Sequence, residues 1–97
     1  MDTIELISQP THGVFEDVKQ HRRRVYVAVK SVSRTEYYLS RQIGLNPELI
    51  FQIADMADYN GEQLCEYHGK LYDVVRVYYD GLKVELTVEV AKNAGQS

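Results

Sequence analysis

The chain is 97 residues long, 44% apolar and 26% charged, with a formal net charge of −3 and one cysteine. Such a composition fits one folded domain on a single core and excludes wholesale disorder and an intramolecular disulfide. The acidic balance also argues against a free nucleic-acid binder, whose affinity for phosphate comes mainly from clustered cations.

The first pattern, residues 3–8, sets Ile4 and Leu6 on one side and Glu5 on the other, as a short strand does. Residues 9–20 lose the pattern: Pro10 and Gly13 punctuate them and polar residues surround Val14, Phe15 and Val18, which reads as a long loop. His21-Arg22-Arg23-Arg24 then runs into Val25, Val27 and Val29 alternating with Tyr26, Ala28 and Lys30, a second strand. Three consecutive Arg at its head point to both faces. They read as a solvated strand end, or as a contact to phosphate or to the acidic side of a neighbouring subunit.

Ser33-Arg34-Thr35-Glu36 matches a capping box, with Ser33 accepting from the Glu36 amide and the Glu36 side chain reaching back. Leu39 and Ile43 share the helical face that follows, Gly44 stands at the C′ position, and Pro47 blocks resumption. The spacing predicts one helix of about nine residues. Leu49, Phe51 and Ile53 alternate with Gln52 and Ala54 as a third strand, and residues 55–61 are turn-like, closing on Asn60-Gly61.

The last third reads as two hairpins. With Asp80-Gly81 as a type I′ loop, Tyr79 faces Leu82, Val77 faces Val84 and Val75 faces Leu86 inside, while Arg76 meets Glu85 and Tyr78 meets Lys83 outside. A tight turn at His68-Gly69 sets Leu64 opposite Asp73, awkward for an inner face, so a bulge or longer loop is expected there. The whole order favours a mainly β fold: a small antiparallel β-barrel, closed or nearly so, with a long loop after the first strand and one short α-helix plugging an end. Residues 1–91 form this single domain and residues 92–97 a frayed tail.

Charge is segregated. Residues 1–45 carry seven Lys plus Arg against five Asp plus Glu, a net of +2, and residues 46–97 carry four against nine, a net of −5. Copies of one subunit arranged head to tail can set one patch against the other. Eight Tyr and no Trp suit strands and subunit contacts alike. A marginal core is a further reason to expect partner subunits.

Catalysis has no candidate constellation. His12, His21 and His68 lie in separate loop or turn positions without ligand spacing, so no metal and no cofactor is expected. Cys65 reads as a packed side chain more than a nucleophile, and Asp55 and Asp58 as turn chemistry. A stacking platform of Tyr26, Tyr72 and Tyr78 near Arg22, Arg23 and Arg24 is the nucleic-acid alternative, weakened by Glu85 and Glu89 on the outward face of the last hairpin. No leader and no apolar run of about 18 residues is present, so no membrane association and a soluble chain made in the cytoplasm are expected.

Val32-Ser33-Arg34-Thr35-Glu36-Tyr37-Tyr38, then Asp58-Tyr59-Asn60-Gly61-Glu62, then Glu66-Tyr67-His68-Gly69-Lys70-Leu71-Tyr72, with Arg76, Tyr78, Gly81 and Val84-Glu85-Leu86 after them, resemble the phage head–tail joining family. These are head-closure, or stopper, proteins of tailed phages and prophages. The resemblance runs from Val25 to Ala91 and rests on order, spacing and total length rather than on one motif. It implies a non-enzymatic virion-neck component, assembled in the host cytoplasm as a ring of six or twelve copies. Its partners would be the portal or adaptor ring above, a tail-completion or tail-terminator protein below, and packaged double-stranded DNA in the channel. By position, the channel- and DNA-facing loop would comprise Gln9, His12, Gly13, Val14, Phe15, Glu16, Asp17, Lys19 and Gln20. The nearest alternative is a tail-completion or other neck protein of similar design; a host nucleic-acid-binding barrel is the more distant one.

Overall fold

The computed structural model describes residues 1–8 and 21–91. Six strands, β1 (Asp2–Ser8), β2 (His21–Ser31), β3 (Leu49–Ile53), β4 (Leu64–Tyr67), β5 (Lys70–Asp80) and β6 (Lys83–Val90), are joined by one helix, α1 (Arg34–Gln42), and a 3-10 turn at Met56–Asp58. The strands close into a barrel in the order β1-β2-β3-β6-β5-β4, each neighbour antiparallel. The mainly β barrel expected from the pattern is therefore the observed fold. The long loop, the frayed tail and the channel-facing residues Gln9, His12, Gly13, Val14, Phe15, Glu16, Asp17, Lys19 and Gln20 lie outside the described residues.

Alternation makes the core. Ile4 and Leu6 of β1, Val25 and Val27 of β2, Phe51 and Ile53 of β3, Cys65 of β4, Tyr72 of β5, and Val84, Leu86 and Val88 of β6 meet inside. Phe51 is fully buried at the centre, with the rings of Tyr67 at 5.0 Å and Tyr72 at 6.1 Å, both edge-on. That arrangement adds about 0.5–1.5 kcal/mol per pair beyond burial.

The last hairpin forms with a different loop from the one expected. Asp80 pairs with Lys83, leaving Gly81 and Leu82 as the two-residue turn. Gly81 supplies the turn's positive φ, +63°, and a glycine at the first central position is the mark of type II′ rather than I′. Pairing consequently moves by two residues: Tyr79 faces Val84, Val77 faces Leu86, Tyr78 faces Glu85 and Arg76 faces Thr87. An even shift preserves the faces, so Val84, Leu86 and Val88 still point inward, but Leu82 leaves the strand and is exposed.

The expected bulge is also relocated. His68 (φ +52°) and Gly69 (φ +78°) make a tight turn with both central residues left-handed, as type I′ requires, and Leu64 does face Asp73. No conflict results, because the inward residue of β4 is Cys65, which faces Tyr72, while Leu64 points out. The irregularity falls instead between Val74 and Arg76, where Val75 is the extra residue.

Helix α1 begins as its sequence dictates: Ser33 Oγ accepts from the Glu36 amide at 3.1 Å. It ends in a Schellman motif, Leu45 N–H donating to Ser40 O and Gly44 N–H to Arg41 O. The reciprocal half of the capping box is not made, because the Glu36 carboxylate turns to the barrel and accepts from Arg76 Nη1 at 3.1 Å and Thr87 Oγ1 at 3.4 Å. Nor does the helix plug the barrel: none of its residues is buried, and it is tied instead to the outer side of β5 and β6.

Candidate functional site

The arginines at the head of β2 are committed to carboxylates of the same chain. Antiparallel pairing sets Arg24 opposite Glu5, and strand alternation puts Arg22 and Arg24 on one face and Arg23 on the other. Arg22 Nη1 lies 2.9 Å from Glu5 Oε1 and 2.7 Å from Glu66 Oε1, bridging β1 and β4. Arg24 stands 3.7 Å from Glu5 and keeps the most open side chain of the three. The hydrogen bond from Arg22 holds the Glu5 carboxyl below its ordinary range, and Glu66 and Glu5 together raise the Arg22 guanidinium above its own.

Arg23 fastens the connection between β3 and β4. Its guanidinium donates to Glu62 Oε2 at 2.8 and 3.3 Å and to the Asp58 carbonyl at 2.9 Å. Glu62 is buried, and its second oxygen accepts from the Asn60 amide at 2.9 Å. Burial alone pushes this carboxyl up; the hydrogen bonds from Arg23 and Asn60 outweigh it, and the group titrates below the ordinary carboxylate range. Tyr59 completes the corner by donating its hydroxyl to the Glu62 carbonyl at 2.7 Å, and burial pushes that phenol up to about 12. Much of the charge segregation between the two halves is thus closed within one chain, with Glu62 and Glu66 as partners that strand patterning did not bring to notice. The only available signal was their position in carboxylate-bearing segments close to predicted turns.

Burial drives the Cys65 thiol up to about 12, consistent with packing rather than nucleophilic attack. Asp55 Oδ1 accepts from the Ala57 amide at 2.9 Å, the expected turn chemistry. His68 stacks on Tyr67 with ring centroids 3.9 Å apart, His21 is exposed at the start of β2, and His12 lies outside the described residues. Among the described residues no three His, Cys, Asp or Glu gather as a metal site. Among the described residues no helix is long and apolar enough to cross a membrane.

The aromatic platform does not assemble. Tyr72 is buried against Phe51, and β2 and β5, which carry Tyr26 and Tyr78, stand opposite each other around the barrel. Exposed apolar side chains collect elsewhere. Tyr38, Leu39 and Ile43 lie open on and just after α1, and Val77, Tyr78, Tyr79 and Leu82 at the far end of the β5–β6 hairpin. Where α1 lies against β5 and β6 runs an open groove of about 560 Å³ lined by Leu39, Ile43, Leu45 and Val75, with Glu36 and Thr87 in its wall. Sequence periodicity assigned Val75, Val77, Tyr79 and Leu82 to an inner face, so this surface was hidden from it.

Fold and surface together define a small closed antiparallel barrel carrying an external helix, with exposed apolar side chains on α1 and at the tip of the β5–β6 hairpin. No model of a known protein family matches the chain, and no functionally curated protein does either.

Proposed function

We propose that the chain is a structural head-closure (stopper) protein of a phage neck, one subunit of a ring between portal or adaptor and tail that seals the DNA channel and offers the tail its docking surface. The observation that carries this reading is the ordered likeness of residues 32–38, 58–62 and 66–72 to the head–tail joining family, borne by a chain that folds as a small barrel with one short helix. Those segments form the joints of the barrel: the capped start of α1, the corner at Tyr59 and Glu62, and the turn at His68-Gly69. The exposed apolar side chains of α1 and the last hairpin supply the contact surface a ring subunit needs.

The mechanism is mechanical and electrostatic. Many weak contacts repeated around a closed ring make docking effectively irreversible through avidity. The segment assigned to the channel leaves the barrel at Ser8 and re-enters at His21, and these two residues pair across β1 and β2. Its two ends are therefore held side by side by a rigid wall. Omission of this chain from assembling particles is expected to yield heads that package DNA, fail to retain it, and join no tails. Full heads with unfinished tails would instead identify a tail-completion protein, and intact particles would overturn the neck assignment altogether.

A further inference from the structure

Among the described residues, the far half of β5 is an unpaired sheet edge. β4 covers β5 from Lys70 to Asp73, and Val74 N–H donates to the Gln63 carbonyl; beyond that point β5 has β6 as its sole backbone partner among the described residues. In a two-residue hairpin the pair flanking the loop, here Asp80 and Lys83, exchanges hydrogen bonds, and the pattern alternates from there. Arg76, Tyr78 and Asp80 therefore direct their backbone groups to β6, while Val77 and Tyr79 direct their N–H and C=O groups outward. The side chains of Val77, Tyr78 and Tyr79 are exposed as well. An apolar edge with free backbone groups is a template for another strand.

We propose that this edge pairs with the same edge of a second copy of the chain, giving a two-fold dimer through antiparallel β5 strands. Complementarity within Arg76-Val77-Tyr78-Tyr79-Asp80 selects the occupant. When two such strands run antiparallel about an axis at Tyr78, Arg76 of each copy falls opposite Asp80 of the other, twice, on the face that carries Tyr78. Val77 falls opposite the second copy's Tyr79, twice, on the other face. Val77 and Tyr79 are also the residues with outward backbone groups, so this register forms about four backbone hydrogen bonds across the axis. Arg76 is already held on the required face by Glu36, with its side chain more than half exposed.

The same register brings the second copy's Gly81-Leu82 turn alongside Val75. Val75 lines the groove together with Leu39, Ile43 and Leu45, and Leu82 is 69% exposed in the single chain. Pairing thus covers the apolar tip as well as the edge. An isologous contact closes on itself and leaves no edge for further growth. The inference does not rest on the neck reading. A cyclic ring uses heterologous contacts, so the two-fold pair describes the free protein.

Sedimentation equilibrium from micromolar to near-millimolar protein is expected to show the mass rising from 11.2 kDa toward twice that value. In parallel, amide exchange at Val77 and Tyr79 should slow as concentration rises. Asp80→Arg sets Arg against Arg76 of the other copy, and Arg76→Asp sets Asp against Asp80. Each variant alone should remain monomeric with a folded circular-dichroism spectrum, and an equimolar mixture should restore the dimer. A native chain that stays monomeric throughout overturns the proposal, and so does constant protection of the Val77 and Tyr79 amides at every concentration, which would mean that the chain's own residues cover the edge. A dimer that both variants leave unchanged places the contact elsewhere and overturns it equally. Arg76→Lys keeps the charge and should keep the dimer, which covers the case in which Arg76→Asp does not fold.

Discussion

Strands β5 and β6 share one ladder and differ in what surrounds them. From Val84 to Glu89, β6 turns Val84, Leu86 and Val88 into the core, while its other face is roofed where Thr87 meets Glu36 and the Glu89 carboxylate accepts from the Asn46 amide at 2.8 Å. From Arg76 to Asp80, β5 is exposed on both faces, and among the described residues one of its edges has no strand partner. Equal strand propensity therefore carries different meanings: in β6 it builds the wall, and in β5 it builds a surface for contact. The deciding factor is what packs over each strand.

That contrast can be broken most strongly from its buried side. Phe51→Ala, opposite Leu86 and beneath two tyrosine rings, should cost about 3–5 kcal/mol in a urea unfolding curve. A loss below about 1 kcal/mol would mean that the core does not converge on this ring.

Next in size is the corner held by Arg23. Arg23→Ala leaves the buried Glu62 carboxylate with fewer partners and should lower stability at neutral pH by about 1–3 kcal/mol, discounted because the Arg23 side chain is partly exposed. The pH dependence carries the sign. The folded-state pKa of Glu62 is depressed in the native chain, so its contribution is fully present above the unfolded value near 4.5 and is lost as pH falls through the folded value. Arg23→Ala removes the hydrogen bond and the charge of Arg23, which oppose burial, so the folded pKa should move up toward the unfolded one. The acid-side loss of stability from this group should shrink accordingly. Matching acid limbs for the two proteins in pH-dependent melting would remove Arg23 from this role.

Smaller effects sharpen the outer side. Ser33→Ala removes the cap of a helix with no buried residue and should cost about 1 kcal/mol, seen as faster amide exchange within α1 ahead of the barrel. Leu82→Ser, at the exposed tip, should change the stability of the isolated chain by less than about 0.5 kcal/mol at dilute concentration. A large loss there would place Leu82 in the core that the Asp80-Gly81 loop would have implied.

Ser33, Gly44 and the Val84, Leu86, Val88 alternation were legible because caps and strand faces depend on neighbours a few residues away. The Asp80-Gly81 loop was misplaced because one glycine serves as the second residue of a I′ turn or the first of a II′ turn, and local sequence does not separate them. The use of Glu62 and Glu66 by Arg23 and Arg22 spans 39 and 44 residues and has no local signal. Val77 and Tyr79 share the face of Leu86 and Val84 and still lie exposed, because β5 runs on beyond the end of its pairing with β4, where the barrel wall is no longer closed among the described residues.

The class of fold, the capped helix and the inward face of β6 are all legible in the residue pattern, since each follows from short-range periodicity and backbone preference. Only the tertiary contacts show that the barrel closes through β1 and β4, that Glu36 abandons its cap to fasten the helix outside the wall, and that β4 pairs with β5 no further than Asp73. The physical reason is common to all three. Burial and pairing are set by what the closed barrel brings together or leaves uncovered, and distance along the chain does not encode that.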